Sequence, residues 1–181
     1  MRTSTQNLEN DHIYVLKLID VMRALTISGS TDAGHMESII DIIRNFADGL
    51  HHAKEEEIFF PALGKKGFPA QQGPVAVMLH EHVQGRNFVI GIAENLELFK
   101  NGNKDALSGI YQNMTGYADL LVNHISKENN ILFRMADKVL SDEEQTNLLE
   151  QFDNIEQNRK EGMQVPDYVK RINALALFYK A

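Results

Sequence analysis

His51, Glu55, His124 and Glu128 are the residues whose spacing points to chemistry. His51-His52-Ala53-Lys54-Glu55 and His124-Ile125-Ser126-Lys127-Glu128 each place an imidazole one helical turn before a carboxylate. Residues four apart share a helix face, so each segment offers a nitrogen and an oxygen to one point in space. Two such pairs, joined by histidines from other helices, can hold two metal ions inside a bundle. His12 and His82 are the histidines placed to join them.

The elements around these residues read as helices. Strict polar–apolar alternation is missing, and the four prolines (Pro61, Pro69, Pro74 and Pro166) fall at element edges. A first helix is expected from about Asn7 to Ile27, with Leu8, His12, Val15, Ile19 and Met22 on one face. A second runs from about Met36 to Phe60 and ends at Pro61. A third, from about Pro74 to Lys100, has the seam Val75, Met78, His82, Gly85, Val89, Ile92, Leu96 and Phe99. The turn Asn101-Gly102-Asn103 leads into a fourth, from about Lys104 to Leu140. Its seam is Leu107, Ile110, Met114, Tyr117, Leu121, His124, Glu128, Ile131 and Met135. Ser141-Asp142-Glu143-Glu144 is a capping box opening a fifth helix with Leu148, Leu149, Phe152 and Ile155 on its apolar face. Gly162 breaks it. A short final helix, about Pro166 to Tyr179, carries Val169, Ile172, Leu175 and Leu177. The fold class is therefore all-α: an antiparallel up-down four-helix bundle over about 7–140, and two additional C-terminal helices over about 141–181. The 181 residues are expected to form a single domain.

Bundle seams are normally Leu, Ile, Val or Met. Here His12, His82, His124 and Glu128 interrupt them, and a buried carboxylate is costly unless paired, protonated or bound to a metal. The second helix offers two registers. His51 and Glu55 share a face with Ile40, Ile43, Ala47 and Ile58, whereas His52 and Glu56 share one with Ile42, Phe46 and Phe60. His51 and Glu55 are preferred, with the other copy solvated. The resulting set is His12, His51, Glu55, His82, His124 and Glu128. The histidines would be terminal ligands and the two glutamates bridges between metals. Six ligands for two ions leave positions open.

Composition narrows the chemistry. There is no cysteine, which removes disulfides, thiolate zinc sites and cysteine-ligated clusters from these residues. An all-nitrogen-and-oxygen set suits Fe, Mn or Zn better than Cu(I). The net charge of −7 argues against nucleic-acid binding. No apolar run reaches the length of a membrane span and no apolar signal core opens the chain, so no membrane partner is expected and the cytoplasm is the default.

With these residues in view, the chain resembles the hemerythrin-like, or HHE cation-binding, domain. The resemblance rests on Asp11-His12, on FADGLHHAKEEEIFFPAL from Phe46 to Leu63, on GPVAVMLHEHVQGR from Gly73 to Arg86, and on NHISKENNILFRMAD from Asn123 to Asp137. It implies a four-helix bundle around two iron ions, bridged as Fe–O–Fe or by carboxylate, with Zn or Mn able to use many of the same ligands. His12 matches the first-helix ligand, His51 and Glu55 the second-helix pair, His82 the third-helix ligand, and His124 and Glu128 the last pair. The motif begins at its first histidine, which favours His51 over His52. One departure stands out. Oxygen-carrying members place two histidines one turn apart on the third helix, and Met78 stands here where the second would fall; His80 should point elsewhere. An extra open position or a water is expected there.

These readings lead to a non-haem di-iron protein that binds O2 or a related small ligand, NO or peroxide, in redox chemistry or sensing. The alternatives are an iron-handling or sensing module without turnover, and an oxidoreductase consuming peroxide or NO. No flavin, haem or nucleotide motif marks an electron-donor site, so whether the chain is an enzyme stays open. Tyr117, Glu81 and Arg86 are candidates to assist near the metals, with core packing or surface pairing as the plainer roles. Phe152, Leu175 and Phe178 would pack on the bundle or form a homodimer.

Overall fold

The computed structural model describes residues 2–158 and 164–181. The expected Gly162 break lies outside them. Helix α1 spans Ser4–Ser28 and begins three residues earlier than its apolar pattern suggests. The cause is a capping box: Thr3 accepts from the Gln6 N–H, and the Gln6 side chain accepts from the Thr3 N–H. Gly29, at φ +65°, closes α1 in the left-handed conformation that glycine adopts without strain.

The second rod is one continuous helix of varying pitch. It runs as α2 (Ala33–Ile42), two π-helical stretches (Ile43–His52 and Lys54–Phe59) and α3 (Phe60–Gly64). Pro61 therefore does not end the rod but sits at the junction where the second π-helical stretch passes into α3. The third rod is α4 (Gly73–Lys100). A short turn at Asn101–Asp105 returns the chain as α5 (Ala106–Lys127), a π-helical stretch (Glu128–Leu132) and α6 (Phe133–Val139). The last two helices are α7 (Asp142–Asn158) and α8 (Val165–Tyr179). Ser141 and Glu144 form the expected reciprocal cap of α7.

The four rods form the antiparallel bundle, and α7 and α8 pack against it. Along α4 and α5 the two backbones come close enough that a Cβ at Gly116 would lie 2.4 Å from the Phe88 ring. No described helix is long and apolar enough to cross a membrane.

The core is split into two apolar clusters. One holds Val15, Leu50, Val89, Leu121 and Ile125; the other holds Leu8, Phe59, Phe60, Met78, Leu132 and Phe133. Every rod passes from one cluster to the other through a polar layer. That layer contains His12 on α1, His51, His52 and Glu55 on the second rod, His82 on α4, and His124 and Glu128 on the fourth.

Two expected core positions are corrected by this geometry. Ile131 is 52 % exposed, and Leu132 and Phe133 are buried instead. The π-helical stretch beginning at Glu128 adds a residue to its turn, which advances the seam by one position. Leu177 is also exposed, while Ile172 and Leu175 cover the bundle. Phe152 is buried against the bundle and Phe178 is exposed.

Candidate metal centre

The polar layer holds two groups of possible ligands. His12, His51, Glu55 and Glu128 form one; His52, Glu55, His82 and His124 form the other. Glu55 belongs to both. Its Oε1 lies 3.6 Å from His51 Nε2 and its Oε2 lies 3.4 Å from His82 Nε2. Glu128 also reaches across, with Oε2 at 3.2 Å from His12 Nε2 and 3.3 Å from His124 Nε2. The structure thus brings all six sequence-derived residues to one buried layer and adds a seventh, His52.

His52 is not solvated, as the sequence reading had it. It is 5 % exposed and stacks on His82 with ring centroids 3.8 Å apart. The π-helical backbone explains this. Bonds spanning five residues, such as Ala53 N–H to Asp48 C=O, widen the turn, so neighbouring side chains diverge less than on an α-helix. His51 and His52 can then both face inward, into opposite halves of the layer. A third imidazole consequently stands in the half where the Met78 departure had suggested an open place. His80 is exposed and pairs with Gln84.

Each of the five imidazoles is held through Nδ1. The acceptors are Asn129 Oδ1 for His12 (2.7 Å), Asp11 Oδ2 for His51 (3.4 Å), Asp48 Oδ1 for His52 (3.1 Å), Glu56 Oε1 for His82 (2.6 Å) and Glu81 Oε2 for His124 (2.9 Å). These partners accept only, or present a carbonyl oxygen, so the proton sits on Nδ1 and the Nε2 lone pair faces the centre. The four carboxylates are themselves matched by cations. Lys54 pairs with Asp11, Arg86 with both Asp48 and Glu56, and Lys127 with Glu81. The surface-facing candidates Arg86 and Glu81 thus act on the centre through the histidines they help orient.

Protonation follows from burial. Burial and the nearby His82 charge push His52 down to about 3, and burial with the His12 charge drives His51 well below its ordinary value. Both are neutral, and so fit to ligate, at neutral pH. Burial and then the facing Glu128 charge raise the Glu55 carboxyl well above its usual range. For Asp48 burial works upward, but hydrogen bonds from His52 and Arg86 outweigh it and hold the group well below. Tyr117 is buried beside Gly85; burial and the Asp48 charge push its phenol well up.

A direct test of fit lies in the carboxylates. All four oxygens of Glu55 and Glu128 are fully buried and have no hydrogen-bond partner. Five imidazole lone pairs point at the same space. His12 and His51 bring their Nε2 atoms to 2.9 Å, and His82 and His124 theirs to 3.1 Å. Two carboxylates and the Nε2 atoms of five imidazoles, gathered in one buried space, are a cation's coordination set and fit a pair of divalent or trivalent metal ions. A cavity of about 180 Å³ reaches the layer beside His52, lined by Ile43, Asp48, Gly85, Arg86 and Tyr117 among others.

Of these features, His52 had a signal in the sequence: the doubled His-x-x-x-Glu. Lys54 had one too, as a lysine set between inward-facing residues. The other orienting partners come from distant segments or depend on the altered pitch.

Residues 3–136 match the family model described as the hemerythrin HHE cation binding domain. Among curated proteins, the chain is 33 % identical over 96 residues to the iron-sulfur cluster repair protein YtfE of Escherichia coli O157:H7, covering 48 % of this chain and 40 % of that protein. The same-named proteins of Escherichia coli strain K12 / DH10B and Shigella boydii serotype 18 match to the same extent. The chain thus spans well under half the length of these relatives. No solved structure gives a significant match.

Proposed function

The chain belongs to the hemerythrin HHE cation-binding domain family, and from that premise we propose that it is an iron-handling module that takes up, holds and gives back a pair of iron ions. The observation that carries this is the set of four unpartnered carboxylate oxygens facing five buried imidazoles. His12 and His51 would hold one ion, His52, His82 and His124 the other, with Glu55 and Glu128 shared. Bound iron would supply the positive charge that makes two adjacent buried carboxylates tolerable, together with a change of valence.

The residues around the centre suit reversible loading. Glu55 can carry a proton when no cation faces it and release it on uptake. Arg86, Glu56 and Asp48 form a partly exposed ion-pair cluster directly behind His82 and His52, so that half lies nearest to solvent. The relatives are named for iron–sulfur cluster repair; returning iron to a damaged cluster is a task that a reversible site can serve. With no cysteine among its 181 residues, this chain would donate iron, not ligate the cluster through thiolates.

Anaerobic loading with Fe(II), metal analysis and chelator competition test the proposal. Two iron ions per chain, surrendered to a chelator within minutes to hours, are expected. Failure to bind iron refutes it, and iron that stays bound through prolonged chelation refutes the handling role.

A second reading, binding of O2, NO or peroxide, draws support from the cavity reaching His52. Filling that cavity by Gly85→Leu should slow the visible spectral response of reduced, iron-loaded protein to NO without changing iron content. An unchanged rate would remove this support.

A further inference from the structure

Lys54 is the only fully buried lysine among the described residues. Its ammonium donates to Asp11 Oδ2 at 2.9 Å and Asn7 Oδ1 at 3.1 Å, pairs with Glu156, and lies 5.9 Å from the Phe152 ring centroid. Asp11 Oδ2 is the same atom that faces His51 Nδ1. A chain of contacts therefore runs from Glu156 through Lys54 and Asp11 to His51. Glu156 and Phe152 sit on α7, beyond the residues that match the family model.

Charge sets what this chain can transmit. A carboxylate on the Nδ1–H makes an imidazole a stronger Nε2 donor. Lys54 draws on the same oxygen and weakens that effect. Glu156 takes part of the ammonium's charge and restores it. We propose that Lys54 and Glu156 are positioning residues for the metal centre, so that α7 is part of the metal-binding machinery: its docking tunes His51, and metal uptake holds it down. This rests on the iron-handling reading. Coupling of this kind is reciprocal, since whatever factor α7 docking adds to metal affinity, metal adds to docking.

The test uses the full chain, with Zn(II) and Fe(II) as probes. Hydrogen exchange over residues 142–158 should slow on Zn(II) loading of the wild type, and that response should shrink in Glu156→Gln. Fe(II) affinity of Glu156→Gln should fall by about tenfold, the lower end for groups that orient metal ligands. The midpoint potential of the iron-loaded protein gives the readout that loss of packing would not produce. Glu156→Gln removes a negative charge and should raise it; Lys54→Met removes a positive one and should lower it, whereas Lys54→Arg should restore it. Shifts of the same sign in both variants, or exchange in α7 indifferent to metal, would overturn the proposal. Wild type that binds two metal ions yet shows neither effect would sink this inference alone. Wild type that binds none would take the iron-handling reading down with it.

Discussion

Glu55→Met should make the metal-free protein more stable while abolishing its response to metal. Ordinary core substitutions destabilise, so the sign itself is diagnostic. In the wild type, Glu55 places two oxygens in the interior with no donor for either. An unsatisfied buried polar group costs about 1–3 kcal/mol, so the pair costs about 2–6 kcal/mol. Methionine removes both oxygens and adapts to an irregular space. Imperfect fit returns part of the gain, about 1–3 kcal/mol. The midpoints of these two ranges, about 4 and about 2 kcal/mol, leave a net gain of about 2 kcal/mol, within what replacing buried charged groups by apolar ones yields elsewhere. At about 2–4 °C per kcal/mol for a chain of this size, the metal-free melting temperature should rise by about 4–8 °C. Glu55→Gln removes the charge but keeps a polar head, so its rise should be smaller. Calorimetry of chelator-treated protein, with and without added Fe(II), measures both halves of the prediction. A metal-free protein destabilised by Glu55→Met, or one that still gains stability from metal, would refute the reasoning.

Three further outcomes follow from the same geometry. His52→Ala should weaken binding in the His82–His124 half and leave the His12–His51 half filled, so iron content measured at limiting free metal should fall from two ions towards one per chain; unchanged content would remove His52 from the ligand set. The Glu55 carboxyl is held protonated above its ordinary range by burial and the Glu128 charge, so metal uptake must expel that proton, and affinity should climb as pH rises above 4.5; calorimetric titrations in buffers of different ionisation enthalpy should show proton release, and none would contradict the assignment. In the Glu55→Met background, where this opposing titration is gone, the metal-free fold should lose stability as pH falls from 6.5 towards about 3, because the unfolded chain takes up a proton that buried His52 refuses; denaturant melts should show about 2 kcal/mol lost between pH 6.5 and pH 5 from this residue.

Much of the centre was legible in the sequence because its logic is periodic. A histidine or glutamate every third or fourth position in an apolar seam must be buried if the seam is, and six such residues fall in one layer of the bundle. What was not legible depends on departures from that period. A uniform α-helix forces a choice between His51 and His52; the π-helical stretch lets the rod use both. The same departure moved the buried position from Ile131 to Leu132, while the seam up to Glu128 fell as its spacing demanded. The orienting carboxylates divide along similar lines. Asp48 is four residues before His52 and open to helical reasoning, but Asp11 and Glu81 reach histidines about forty positions away, a pairing that only the packed bundle defines.

The altered pitch and the ligand set have one physical origin. Both π-helical rods change pitch where they cross the polar layer, between two apolar clusters that anchor them on either side. A widened turn weakens the backbone ladder locally, and such a turn persists only where packing above and below holds it. Phe59, Phe60, Leu132 and Phe133 provide that hold on one side, and Leu50, Leu121 and Ile125 on the other. The return is the ability to turn adjacent residues of one rod toward two separate ions. An α-helical second rod would present His51 with Glu55 and direct His52 away from the centre, leaving one half of the layer with two imidazoles. The two-ion centre is in this sense a property of the backbone pitch, and the apolar clusters that fix the pitch are as much a part of it as the imidazoles.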